Sequence, residues 1–175
     1  MSTLHVENLK GLTSGGNANK VIIPTGQTLE VTDNIRYDDM PAGSVIQQVS
    51  SFSTTLFSTT SSSFSATHSS VSITPKFANS QMSIWVSASS HHSGNADYGR
   101  GQIRKNGSAF SNYNEEELNS YLARTDSRGQ AVTMCYCDTN VGTTSSVTYA
   151  YYLRTSGGTA HWYRNNGILV QEIKV

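Results

Sequence analysis

Within residues 81–87, Met82, Ile84 and Val86 fall on one face and the intervening positions on the other. A period of two is the mark of a strand with one buried face. The same alternation recurs in Val132-Thr133-Met134-Cys135-Tyr136. It is clearest over residues 147–153, where Val147, Tyr149, Tyr151 and Leu153 align. A final strand is expected over residues 168–173. Residues 50–70 look different at first: fifteen of these 21 positions are Ser or Thr, interrupted mainly by Phe52, Leu56, Phe57 and Phe64. Aromatic and β-branched residues fit a pleated, half-buried surface, so this stretch predicts hydroxyl-faced strands rather than a disordered linker.

Turn chemistry separates these segments. Lys105-Asn106-Gly107-Ser108 and Asn165-Asn166-Gly167-Ile168 both carry Asn-Gly, the preferred pair for a type I′ turn with two positive φ angles. Ser156-Gly157-Gly158-Thr159 links the Tyr-rich strand to Ala160-His161-Trp162-Tyr163-Arg164, which is expected to lie beside it. About eight to ten short strands with such punctuation over residues 44–175 predict an all-β fold, an antiparallel jelly-roll sandwich. Residues 112–124 break the pattern. Leu118, Tyr121 and Leu122 have helical spacing, Asn114 is a candidate cap, and Glu115, Glu116 and Glu117 suit the positive end of a helix dipole.

The first 40 residues carry only short apolar pieces, punctuated by Gly, Asn and Thr, too narrow to close a core alone. They predict an extended attachment and trimerisation arm, residues 1–40. In a homotrimer, Leu4, Val6, Leu9, Val21, Ile23, Leu29, Val31 and Ile35 would face inward in layers. Asp38-Asp39-Met40-Pro41-Ala42-Gly43 reads as a turn, because Pro fixes φ and Gly relaxes it. The knob domain then occupies residues 44–175.

Composition narrows the functional classes. Formal net charge is zero and only 14% of residues are charged, so no basic excess favours a phosphate backbone and nucleic-acid binding is not expected. No run of about 18 apolar residues predicts membrane insertion, and the N-terminus carries no visible signal peptide. Cys135 and Cys137 would share one strand face, roughly 7 Å apart at Cα, which is at the limit for a disulfide. They are expected to be buried or half-buried structural thiols, since two thiolates without a second pair make a poor zinc site.

Candidate chemistry is sparse. The run Glu115, Glu116, Glu117 lacks calcium-loop spacing and suits a solvated loop or helix start. His91 and His92 are adjacent, so on a strand they point to opposite faces; a metal would need one His from each of three chains. No nucleophile elbow, zinc-protease, Walker or dinucleotide motif is present. No cofactor or enzymatic activity is therefore expected. The aromatic residues say more. Tyr152 and Tyr163 are opposite in parity to Tyr151 and Trp162, and exposed aromatic rings either fill subunit interfaces or stack on sugars. Tyr152, Tyr163, Trp162, His91 and His92 are the candidate ligand or subunit contacts.

The order of several phrases resembles a group of tailed-bacteriophage virion proteins, especially from marine and cyanobacterial phages. These phrases are the opening MSTLHVENLKG, the junction Pro41-Ala42-Gly43-Ser44-Val45-Ile46-Gln47, Ser72-Ile73-Thr74-Pro75, Arg104-Lys105-Asn106-Gly107 and a closing ILVQEI. The resemblance covers nearly the whole chain. It implies a trimeric jelly-roll knob, similar to tumour necrosis factor, on a short stem, and it supplies no catalytic residues. A short tail fibre is the expectation. It would be located in the virion after assembly in the host cytoplasm, docked on capsid or tail subunits through residues 1–40, with a host surface glycan as a further possible partner. Capsid decoration, a head fibre and a lectin-like carbohydrate module are the alternatives.

Overall fold

The computed structural model describes residues 13–16, 18, 21–28, 37, 40–93, 98–110 and 131–175, with the backbone alone for 120–122 and 130. It divides the chain into two compact units, Met1–Arg36 and Tyr37–Val175. In the first unit, turns close from Ala18 N–H to the Gly15 carbonyl and from Gln27 N–H to the Pro24 carbonyl, both at 3.0 Å. Val21, Ile22 and Ile23 are exposed. Leu4, Val6, Leu9, Leu29, Val31 and Ile35 lie outside the described residues.

In the second unit the described residues form ten strands: β1 (Val45–Ser53), β2 (Phe57–Thr59), β3 (Ser65–Ile73), β4 (Gln81–Ser93), β5 (Gly99–Lys105), β6 (Ser120–Leu122), β7 (Gln130–Asp138), β8 (Val147–Thr155), β9 (Thr159–Trp162) and β10 (Asn166–Ile173). Four antiparallel pairings are nested around β5/β6: β1 with β10, β3 with β8, β4 with β7, and β5 with β6. This long ribbon is rolled so that β10 also meets β4, and β8 also meets β5. The result is two packed sheets, 1-10-4-7 and 3-8-5-6, the pairing of a jelly-roll sandwich. Strand β9 continues along the edge of β4 where β10 stops, and β2 pairs with β9.

Alternation fills the space between the sheets. Met82, Ile84 and Val86 of β4 meet Val147, Tyr149, Tyr151 and Leu153 of β8, all fully buried. Tyr151 stacks on Trp162 with ring centroids 4.1 Å apart. Each such side chain contributes about 1.5–3 kcal/mol by leaving water. The polar end of Trp162 is satisfied inside: its indole N–H donates to Ser69 Oγ at 2.8 Å, and Ser69 Oγ donates to Asn166 Oδ1 at 2.6 Å.

Four expectations change. Tyr151 and Trp162 lie in different sheets, so Ser156-Gly157-Gly158-Thr159 crosses the sandwich and does not join neighbouring strands. The second Asn-Gly is not a type I′ turn. Positive φ falls on Asn165 (62°), while Asn166 and Gly167 already belong to β10. Burial of Asn166 between Ser69 and the Tyr163 carbonyl holds that register. Residues 120–122 form a strand rather than a helix, because the outer edge of β5 has backbone groups that only an extended partner can satisfy. The remaining helical positions, with Glu115, Glu116 and Glu117, lie outside the described residues. Lastly, Cys135 and Cys137 are exposed. Met134 and Tyr136 take the inward parity of β7, which turns both thiols to solvent. The expected turn at Asn106-Gly107 is present, with φ of 49° and 81°.

Two buried polar clusters tie the layers together. Glu172 is fully buried in β10. Its carboxylate accepts the Lys76 N–H at 2.8 Å, the Phe77 N–H at 3.2 Å and the Ser80 hydroxyl at 2.7 Å, pinning the β3–β4 connection. Asp138 Oδ2 accepts from Lys105 Nζ at 2.7 Å and from the Tyr149 hydroxyl at 2.6 Å, joining the two sheets. Burial, then the hydrogen bond and charge of Asp138, raise the Tyr149 phenol far above its usual range.

Candidate functional site

Among the described residues no three His, Cys, Asp or Glu side chains gather into a metal-binding group. A recess of about 380 Å³ is lined by Lys105, Phe110, Tyr136 and Asp138 among others. Its Lys105 and Asp138 are already engaged with each other, and Lys105 also donates to the Val141 carbonyl at 2.8 Å. That arrangement is a cross-sheet staple. The features suited to recognition are the outward faces of the two sheets.

The outward face of the β1-β10-β4-β7 sheet follows from its register. Ser50, Leu169, Trp85 and Cys135 form one cross-strand row; Phe52, Gly167, Ser87 and Thr133 form the next; Gln48, Gln171, Ser83 and Cys137 form a third. None of these positions is charged. Phe52 is 67% exposed and Trp85 47% exposed. Between them Gly167 leaves a notch of about 380 Å³, closed by Leu169 and Thr133. Trp85 satisfies its indole N–H locally, donating to Ser83 Oγ at 2.9 Å, so the ring faces outward as apolar surface. Partial burial and the neighbouring Asp138 raise the Cys137 thiol.

The outward face of the β3-β8-β5-β6 sheet is its opposite in character. Arg100 and Arg154 stand directly across from each other on β5 and β8. Arg104 follows on the same face, one guanidinium 4.6 Å from the Phe64 ring and 5.0 Å from Tyr152. Arg154 lies 4.8 Å from that same Phe64 ring, and Arg100 lies 4.5 Å from Tyr98.

Of the residues singled out by sequence, Tyr152 is half-buried on this arginine-bearing face, and Tyr163 is half-buried beside β4 and β9. Trp162 lies in the core and presents no surface. His92 is buried inward, its Nε2 2.8 Å from both Thr155 Oγ1 and the Gly157 carbonyl. His91 points to the other side, as adjacent strand residues must, and stacks on His161 at 5.4 Å and against Tyr163 at 6.3 Å. Neither ring nitrogen of His91 has a hydrogen-bond partner among the described residues. Burial, then the charges of His91 and His92, lower the His161 pKa. The structure thus brings His91, His161 and Tyr163 together and leaves Tyr152 on the opposite sheet. Sequence reasoning missed Phe52, Trp85 and Leu169 as one surface, and missed the three arginines as a group. Parity alone could have flagged Trp85, which is out of phase with Met82, Ile84 and Val86.

No family model matches the chain, and no curated protein matches it. Among solved structures, the chain is similar to the VP2 subviral particle of infectious bursal disease virus. The two are 12% identical, the match covers 87% of this chain and 45% of that one, and the TM-score is 0.36. The chain therefore spans less than half the length of that neighbour. The jelly-roll assignment stands on the strand order described above.

Proposed function

We propose that this protein is a non-enzymatic virion structural protein, a short fibre-like homotrimer. Residues 1–40 attach it to the particle and residues 44–175 project as a jelly-roll knob. The observation that carries the self-assembly is the uncharged outward face around Phe52, Trp85 and Leu169. Contiguous exposed apolar surface on a sheet marks an interaction site, and aromatic rings dominate the energetics of such contacts. A four-stranded face of this length measures roughly 20 by 25 Å, about 500 Å². A standard interface needs about 800 Å² per partner. The arm, with Val21 and Ile23 exposed, would bury area of its own against sister copies. Placement in a virion rests on the ordered sequence phrases, from the PAGSVIQ junction to the closing ILVQEI. Capsid decoration is the second reading within this class; it shares the trimer and differs in the docking subunit.

Mass photometry of the purified chain tests the assembly. The expected species has three times the 19.0 kDa chain mass. The double substitution Phe52→Ser and Trp85→Ser should convert it to monomer with an unchanged far-ultraviolet spectrum. A monomeric wild-type chain overturns the reading. Antibody labelling of purified particles tests the location: label at the tail supports the fibre, label over the head supports decoration, and unlabelled particles reject a virion role.

A further inference from the structure

We infer that His91, His92 and His161 form an acid-sensitive latch where β9 lies on β4: neutral, the rings hold β9 in the sheet, and protonated, they release it. His91 and His161 oppose each other directly in the β4–β9 ladder, and His92 faces Ala160 at the next pair. The His91 and His161 rings stack at 5.4 Å. Tyr163 closes the group, 6.3 Å from His91 and 6.1 Å from His161.

His91 is the unusual member. It is only 7% exposed, and neither ring nitrogen has a hydrogen-bond partner among the described residues. His92 is buried more deeply still, and its Nδ1 is likewise without a partner there. Burying a polar group unpaired costs stability, so a phenylalanine would fill the His91 position at less cost. A phenylalanine cannot take up a proton between pH 5 and 8, and a histidine can.

The surroundings do not favour that proton. Among the described residues, β4 brings His91 and, on its reverse side, His92; β9 brings His161. The connection after β9 brings Tyr163, followed by the exposed Arg164. On the far edge of β9, β2 brings Phe57, Ser58 and Thr59, with His68 of β3 against Phe57. On the inner side, β8 gives Thr155 to His92, and the Tyr98 carbonyl meets the same hydroxyl. The adjoining residues of β7 and β10, Gln130, Ala131 and Asn166, are uncharged. No carboxylate stands among these groups, and charged imidazoles repel one another.

Burial, then the charges of His91 and His92, hold the His161 pKa below its usual value. An opened form, with His161 in water, therefore binds more protons than the closed form once pH falls to about 6.5 and below. Acid favours opening, and neutral pH favours closure. The element that yields is β9, which has only four residues. Among the described strands β2 pairs with β9 alone, so release of β9 also frees β2. It uncovers Trp162, fully buried in the closed form.

Trp162 reports the test, because Trp85→Phe leaves it as the sole indole of the chain. Acrylamide quenching of the full-length Trp85→Phe protein is followed from pH 7.5 to 5.0. Quenching should rise at least about twofold and reverse on neutralisation, with the far-ultraviolet spectrum retained, as for local opening. His161→Gln and His91→Phe, each in this background, should flatten the rise. His68→Gln should leave it unchanged. Thermal unfolding at pH 7.5 confirms that each variant is folded. Equal shielding of Trp162 at both pH values overturns the inference. So does an undiminished rise in folded protein carrying both His91→Phe and His161→Gln, which would assign the opening to groups outside the latch.

Discussion

At the scale of single residues, parity proved a better guide than residue type. Tyr151 and Trp162 are buried and their neighbours Tyr152 and Tyr163 half-buried, as alternation requires. Cysteine is among the residue types most often buried, yet Cys135 and Cys137 face solvent because the strand's inward positions belong to Met134 and Tyr136. Glu172 is the reverse case. It takes the inward parity set by Ile168 and Val170, where residue type alone argues against a charge. Its partners, the Lys76 and Phe77 N–H groups and the Ser80 hydroxyl, lie 92–96 residues away. No local pattern could have announced them. Hydrogen bonds to a buried charged group contribute about 1.5–3 kcal/mol each when donors would otherwise be stranded. Glu172→Ala is therefore expected to lower unfolding free energy by about 3 kcal/mol or more in urea titration. Thr54→Ala, at an exposed position between β1 and β2, should stay within about 0.5 kcal/mol.

At the scale of elements, strands were legible and their partners were not. Periodicity located the cores of β4, β7, β8 and β10, because each has one buried face. Pairing depends on contacts distant in sequence, so the nested ribbon and the crossing by Gly157 and Gly158 left no trace in any short window. The two Asn-Gly pairs show how context decides between identical phrases. Gly107 sits at φ 81° in a tight turn, whereas Gly167 has no positive φ and lies within β10. An added Cβ would meet only ordinary contacts at both sites, 3.5 Å from the Tyr152 hydroxyl and 3.5 Å from the Ser51 carbonyl respectively. Backbone strain thus separates them. Gly107→Ala should destabilise by about 1–2 kcal/mol, the cost of a left-handed L-residue. Gly167→Ala should leave thermal stability nearly unchanged. Its methyl group would project into the notch beside Phe52, so it should weaken self-association measured by sedimentation.

For the whole molecule, the sandwich places an uncharged, partly apolar surface and three arginines on the outward faces of opposite sheets. The fold class was readable from the sequence because short alternating strands leave few alternatives. The two faces were not, because each is assembled across strands that join only in the fold: Phe52 from β1, Trp85 from β4, Leu169 from β10; Arg100 and Arg104 from β5, Arg154 from β8. Their chemistry makes opposite demands on salt. Association through the uncharged face is driven by apolar burial, and excluded salts such as sulfate strengthen it. A contact between copies through guanidinium groups would instead be screened over a Debye length that shrinks from about 10 Å at 0.1 M to about 3 Å at 1 M. Raising sodium chloride from 0.1 to 1 M should therefore leave the proposed trimer intact in mass photometry. Dissociation of the trimer at 1 M salt would mean that charge holds the copies together. The interface would then have to be sought on the arginine face, and the assignment of the two sheets would be reversed.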